Sequence, residues 1–158
     1  MSLSNPYTYP PIVAFLRRWI PTIFPSVRVS HASRSGVRAY VRHLITTRTF
    51  SIRSADHAAD IHVDASDLTQ RQIGDGLFAL FVEWHADLGV DHVIWNGQIW
   101  TRRHNGLRAY CSPHPVANRI HVAFTRAASK QQPTMLVPLL DGLYLDVYGT
   151  LTGQNCLS

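Results

Sequence analysis

Two short segments combine polar side chains that can do chemistry with the alternation of a β-strand. In residues 60–63 the apolar side chains alternate with Asp60 and His62, so the two polar groups share the face opposite the core. Residues 120–124 alternate in the same way and place His121 opposite their apolar side chains. Carboxylate and imidazole groups are common zinc ligands. The sequence therefore predicts groups able to bind a metal on the outer faces of two strands.

One interpretation of these residues is a four-residue metal set. His57, Asp60 and His62 lie close in sequence, and His121 would join them from the second strand. His57 would have to reach in from the preceding loop, and only Asp56 or Asp64 could serve as a base. Because the chain has nine histidines, a chance cluster is the alternative.

A longer part of the chain resembles a known family. Residues 93–100 read Val-Ile-Trp-Asn-x-x-Ile-Trp, residues 107–110 read Leu-Arg-x-Tyr, and residues 115–124 read Pro-x-x-x-x-Ile-His-Val-x-Phe. This order is similar to the C-terminal half of D-Ala-D-Ala carboxypeptidase-like zinc peptidases. Residues 51–60, SIRSADHAAD, resemble that family's upstream motif Ser-x-His-x-x-Gly-x-Ala-x-Asp. The likeness is greatest to the actinobacterial and actinophage branch, which includes phage minor tail proteins with a carboxypeptidase motif.

The resemblance implies which residues would form the site. It places the family's Asp ligand at Asp60 and its last His ligand at His121. Arg53 stands at the first His ligand and Asn118 at the general base. A guanidinium cation does not bind a metal cation, and an amide has no useful basicity. The resemblance therefore implies a degenerate site, in which Asp60 and His121 are vestigial ligands, no zinc is bound and hydrolysis is lost.

Four residues are predicted to contact a ligand other than a metal. Arg53 would place its charge where the metal would lie and pair with Asp60. Arg119 replaces the penultimate His of the family's final motif. Trp95 and Tyr110 are placed near a sheet face, where aromatic rings could stack on a sugar or a peptide. Aromatic side chains beside a hairpin are more often part of the core.

The composition is that of a folded, basic protein. Charged residues make up 16% and hydrophobic residues 46% of the 158 residues, which excludes a disordered chain. The net charge is +5, but the arginines are scattered, so no specific nucleic-acid partner is expected. Arg102-Arg103-His104 predicts a solvated hairpin flank, with contact to a polyanion as the alternative. Cys111 and Cys156 fit a disulfide as well as two free thiols.

The N-terminus lacks a charged segment followed by a long apolar one, so no signal peptide is expected. No apolar run is long enough to span a bilayer. A protein of this kind that acts on the cell wall would be made in the host cytoplasm and carried out on a virion.

Helix start and stop signals occur at several places. Pro10-Pro11 opens a helix that Pro21 is expected to end. A second helix is predicted over residues 36–45. The capping box formed by residues 67–70 predicts the start of a longer helix, and Gly89 predicts its end.

Strand signals complete the predicted domain. Asn96-Gly97 between two apolar runs predicts a β-hairpin over residues 93–100, and residues 27–29 predict a short strand. The elements describe an α+β fold, a small, mostly antiparallel sheet flanked by helices. The resemblance implies that the sheet is arranged as in the DD-peptidases.

The last part of the chain extends beyond the resemblance. We predict a peptidase-like α+β domain over residues 1–126 and a C-terminal linker and apolar arm over residues 127–158. Two apolar segments flank Asp141-Gly142, which predicts an additional hairpin. This arm either closes the core or docks on a neighbouring virion subunit by strand addition.

Two functions remain from different classes. The first is a non-catalytic structural or cell-wall-contacting protein, a minor tail protein of a phage virion whose partners are other tail subunits and peptidoglycan. The alternative is an active zinc peptidase that cleaves D-Ala-containing stem peptides of peptidoglycan through Asp60, His121 and an unidentified third ligand.

Overall fold

A six-stranded antiparallel sheet lies at the centre of the molecule. The computed structural model describes residues 9–32, 57–110 and 118–153. In chain order the strands are β1 Arg28–His31, β2 Ala58–His62, β3 Val90–Trp95, β4 Gln98–Thr101, β5 Gly106–Ala109 and β6 Ile120–Phe124. Their order across the sheet is β1-β2-β6-β3-β4-β5, and every neighbouring pair is antiparallel.

Five helices occur in the described residues: α1 Pro11–Ile23, α2 Leu68–Glu83, α3 His85–Leu88, α4 Arg126–Ser129 and α5 Leu136–Gly153. The apolar sides of α1, α2 and α5 pack with one face of the sheet to form the main core. The predicted α+β fold with an antiparallel sheet is therefore confirmed. No helix in these described ranges is long and apolar enough to cross a membrane.

Helix α1 buries the predicted apolar stripe but does not end where expected. Ile12, Leu16 and Ile20 are fully buried. The helix continues through Pro21 to Ile23, and the backbone N–H of Phe24 donates to the carbonyl of Ile20 at 2.7 Å. Pro21 lies near the C-terminal end, so the hydrogen bond it cannot donate is lost only in the final turn.

Helix α2 begins at the predicted N-cap. The Asp67 carboxylate accepts a hydrogen bond from the backbone N–H of Gln70 at 2.8 Å. The Gln70 side chain accepts instead from the N–H of Asp64, so only one half of a capping box forms. The helix breaks at Trp84, and α3 ends at Gly89, the predicted stop, in the left-handed conformation.

The predicted hairpin is formed by β3 and β4. Asn96 and Gly97 have φ values of 45° and 77°, the positive values that a type I′ turn requires. The two strands pair in register from Trp95 with Gln98 to His92 with Thr101.

The C-terminal region is helical, and the predicted hairpin is wrong. Helix α5 includes both apolar segments and Asp141-Gly142 between them. Leu136, Leu140 and Val147 are buried in the main core, and one helical face brings all three against α1 and α2. Pro138 lies in the first turn, where a backbone N–H is not needed. The division of the chain at residue 126 stays a prediction.

Gly76 lies where the side chain of Leu143 on α5 comes close to α2. A Cβ atom at this position would lie 2.2 Å from a terminal methyl carbon of Leu143, which is too short for a non-bonded contact.

The predicted helix over residues 36–45 lies outside the described residues, as do Arg53 and Asp56.

Candidate functional site

The sheet face opposite the main core carries His62, His92 and His121, and we call it the histidine face. Strand pairing places one row of residues across this face, namely Ser30, Asp60, His121, Ile94, Ile99 and Arg108. A parallel row contains Ala58, Ala123, His92, Thr101 and Gly106. The predicted outer positions of Asp60 and His121 are therefore directly opposite each other on neighbouring strands.

Asp60 lies at the centre of an ion-pair cluster. The Nδ1 of His121 donates a hydrogen bond to Oδ1 of Asp60 at 2.8 Å. The Nη1 of Arg119 lies 3.6 Å from Oδ2 of the same carboxylate. The side chain of Asp60 is 14% exposed and that of Arg119 is 39% exposed. Both oxygens of the carboxylate thus face a nitrogen that can carry positive charge.

The electrostatics of this cluster favour an ionised carboxylate. Burial alone would raise the pKa of Asp60, because a charged group loses hydration. The hydrogen bond from His121 and the positive charges of His121, Arg119 and His62 outweigh that effect. The pKa of Asp60 is therefore lower than its ordinary value, and the group is a carboxylate at neutral pH.

His92 is a site residue that the sequence analysis did not single out. Its ring stacks on that of His121, with centroids 5.4 Å apart and an interplanar angle of 27°. Its Nδ1 lies 3.0 Å from Oδ2 of Asp91. Burial lowers the pKa of His92, and the charge of His121 lowers it further, although the hydrogen bond to Asp91 acts in the opposite direction. The alternation of β3 could have placed His92 on this face, but only the strand order brings it to His121.

The other histidines of the predicted four-residue set have different neighbours. His62 Nε2 lies 2.8 Å from the hydroxyl oxygen of Ser30. His57 is half-buried before β2, and its Nδ1 is buried with no hydrogen-bond partner among the described residues. Within residues 9–32, 57–110 and 118–153, no group of three or more His, Cys, Asp or Glu side chains could hold a metal ion.

The positive charges around Asp60 do not fit a bound dication. A zinc ion bound to Oδ1 of this carboxylate would have to displace the hydrogen bond from His121. One bound to Oδ2 would lie close to the Arg119 guanidinium, which keeps its charge at all relevant pH values. Asp60 and His121 have the right chemistry for zinc, but their surroundings on the histidine face fit an ion-pair cluster better.

The remaining predicted site residues lie in different environments. Trp95 is only 2% exposed and belongs to the main core, so its ring is not available to stack on a ligand. Its Nε1–H donates to Asp75 at 2.8 Å. Tyr110 is half-buried and follows β5, and its backbone N–H donates to Gly97. Asn118, at the position of the general base, is exposed immediately before Arg119.

The sequence of the chain matches the model of one known protein family. The sequence model of the family described as VldE, C-terminal domain, matches residues 28–121. This range runs from the first residue of β1 to His121 and includes Asp60, His92 and Arg119. Comparison with curated proteins and with solved structures gave no match. The match spans more than half of the sequence, and the chain therefore belongs to the VldE C-terminal domain family.

Proposed function

We propose that this protein is a non-catalytic, structural and cell-wall-contacting protein built on a D-Ala-D-Ala carboxypeptidase-like domain, and that it is a minor tail protein of a phage virion. The observation that carries the loss of catalysis is the ion-pair cluster of Asp60, His121 and Arg119. The wall and virion setting is supported by the resemblance of residues 48–124 to the actinophage branch.

The cluster supports a non-catalytic role because it replaces the charge of a metal with charges from the protein. A hydrolytic zinc ion needs three protein ligands and an open position for water. Here the Asp60 carboxylate is satisfied by Nδ1 of His121 at 2.8 Å and faces Arg119 at 3.6 Å. A cation would have to compete with both groups.

The position of the general base supports the same conclusion. Hydrolysis by a zinc-bound water needs a group that accepts the proton of that water. The resemblance aligns this group with Asn118, whose side chain is exposed and whose amide does not accept a proton near neutral pH. Arg53, aligned with the family's first His ligand, would add a further positive charge.

Contacts with other tail subunits are assigned to the exposed side of α5. Tyr144 is 40% and Leu145 is 68% exposed, although the opposite side of the same helix is buried in the core. In this proposal the helix therefore contributes to the domain with one side and contacts a neighbouring subunit with the other. Docking by strand addition does not apply, because the region is helical.

Zinc binding tests the proposal directly. Purified protein is analysed for metal and titrated with zinc, and hydrolysis of a D-Ala-D-Ala peptide is measured in parallel. We expect less than about one tenth of a zinc per chain and no titratable site. In contrast, the double variant Arg53→His, Asn118→Asp should gain zinc affinity if the alignment is right. Failure of that variant to bind zinc would contradict the alignment.

An active zinc peptidase is the second candidate. The observation in its favour is that Asp60 and His121, the two aligned ligands, face each other on adjacent strands. In that case the third ligand would come from another part of the chain. Near-stoichiometric zinc that is lost in His121→Ala, together with release of D-Ala, would establish this function and overturn the first.

A further inference from the structure

The charges of the molecule differ in sign between one edge of the sheet and helix α5. Residues 98–110, which contain β4, β5 and the turn between them, include Arg102, Arg103 and Arg108 but no Asp or Glu. Helix α5 has two aspartates and no Lys or Arg. The β4–β5 hairpin is therefore a locally cationic element at one edge of the sheet.

The backbone holds these arginines in a defined arrangement. The N–H of Arg102 donates to the carbonyl of Asp91 at 2.8 Å, and the N–H of Asn105 donates to the carbonyl of Arg102 at 3.3 Å. Asn105 has a φ of 41°, which closes the turn. Arg108 pairs with Ile99. This pair lies two residues beyond the first pair after the turn, Thr101 with Gly106, which is about 7 Å along the strand.

The three arginines have no acidic partner among the residues that the structure describes. All three side chains are exposed, and within the described part of the chain none of them forms an ion pair. In contrast, Arg71 lies 4.0 Å from Asp75 and Arg119 lies 3.6 Å from Asp60. The carboxylate of Asp91, at the same end of the sheet, accepts a hydrogen bond from His92.

We propose that the β4–β5 hairpin binds a linear phosphodiester polymer without bases, of the polyol-phosphate type, through Arg102, Arg103 and Arg108. Guanidinium groups pair with phosphate oxygens in a bidentate manner. This inference names a partner class for the wall-contacting role proposed above and rests on that role.

The surroundings of the arginines favour a polymer without bases over a nucleic acid. Recognition of single-stranded nucleic acid uses exposed aromatic rings on which bases stack. Near these arginines, Trp95 of β3 and Trp100 of β4 are buried and Tyr110 is half-buried. The Trp100 ring packs 4.4 Å from that of His85.

The test compares two variants that lose the same charge from different places. In Arg102→Gln, Arg103→Gln, Arg108→Gln the cationic hairpin is removed. In the control Arg17→Gln, Arg18→Gln, Arg126→Gln three exposed positive charges are removed from helices α1 and α4. Binding of the full chain to poly(glycerol phosphate) is measured by calorimetry at about 50 and 200 mM salt, and circular dichroism checks that both variants are folded.

We expect the hairpin variant to lose about tenfold or more in affinity and its salt slope to fall by about 2, while the control stays within about twofold. Equal losses in both variants would show that only net charge acts and would overturn the inference. Absence of binding by the unmodified chain, or equal binding of polyglutamate, would overturn it too. Tighter binding of single-stranded DNA would assign the surface to nucleic acid instead.

These outcomes are separate from those that test the non-catalytic role. Zinc binding and hydrolysis depend on Asp60 and His121, whereas polymer binding depends on the arginines of the hairpin. A chain that binds no zinc and no polymer would keep the first proposal and lose the second.

Discussion

The two faces of the sheet use the same strands for different purposes. In β6, Ile120, Val122 and Phe124 are buried in the main core, whereas His121 lies on the other face beside Asp60. On the core face, burial of apolar area stabilises the fold. On the histidine face, charged groups are held by a small number of directional contacts. Substitutions one residue apart in the same strand should therefore affect different properties.

The largest expected effect is a cavity on the core face. Phe124 is 1% exposed, and its ring meets that of Phe81 edge-on at 6.3 Å. Phe124→Ala should lower the free energy of unfolding by about 3–5 kcal/mol, measured by urea denaturation. The control Phe124→Leu keeps most of the volume and should cost less than about 1.5 kcal/mol. Equal losses in the two variants would contradict a packing role.

A smaller loss is expected when the cluster on the histidine face is broken. Asp60→Ala leaves the Nδ1–H of His121 without its acceptor and should lower the free energy of unfolding by about 1–3 kcal/mol. A double-mutant cycle with His121→Ala should show that the two losses are not additive.

The control for this experiment is Asp64→Ala. The Asp64 carboxylate also accepts hydrogen bonds, from the backbone and hydroxyl of Ser66, but it is exposed. Asp64→Ala should therefore lower the free energy of unfolding by less than Asp60→Ala does. Additive losses at Asp60 and His121 would show that their contact does not stabilise the fold.

The pH dependence of stability should distinguish two groups on the histidine face, His92 and Asp60. The pKa of His92 lies below its ordinary value of 6.5 in the folded protein, so folding disfavours the protonated ring. Its contribution is then complete above pH 6.5 and decreases as the pH falls from 6.5 towards the folded pKa. The urea midpoint of the unmodified chain should decrease in this window, and that of His92→Gln should decrease less.

The carboxylate of Asp60 acts in a lower pH range. Its folded pKa lies below 3.8, so the stability it provides is present above pH 3.8 and is lost as the pH falls through the folded pKa. Asp60→Ala should therefore flatten the acid limb of the curve and leave the His92 window in place. Identical curves of stability against pH for His92→Gln and Asp60→Ala would contradict these assignments.

The smallest effect is expected at the exposed hairpin. The triple change of Arg102, Arg103 and Arg108 to Gln should alter the free energy of unfolding by less than about 0.5 kcal/mol, because these side chains form no ion pair within the described residues. A larger loss, measured by urea denaturation, would show that the hairpin has a structural role.

Local sequence patterns determined much of the fold. Asn96-Gly97 set the β3–β4 turn because both residues accept positive φ, and Asp67 capped α2 because its carboxylate reaches the N–H of Gln70. The alternation of β2 and β6 placed Asp60 and His121 on one face. Each of these signals depends on residues within a few positions of each other.

The C-terminal helix shows where local signals were insufficient. Asp141-Gly142 favours a turn in isolation, yet Leu136, Leu140 and Val147 are buried on one helical face. Packing of α5 against α1 and α2 outweighs the turn preference of two residues, because burial of a whole face contributes more than local propensity.

The site itself was decided by tertiary structure. The sequence supplied Asp60 and His121 as candidates, but only the order β2-β6-β3 brings His92 onto His121 and Arg119 to Asp60. These contacts join residues that are far apart in the chain, and no local pattern encodes which strands become neighbours. The sequence by itself thus determined the faces of the strands, whereas the charges that surround Asp60 follow from how the strands pair.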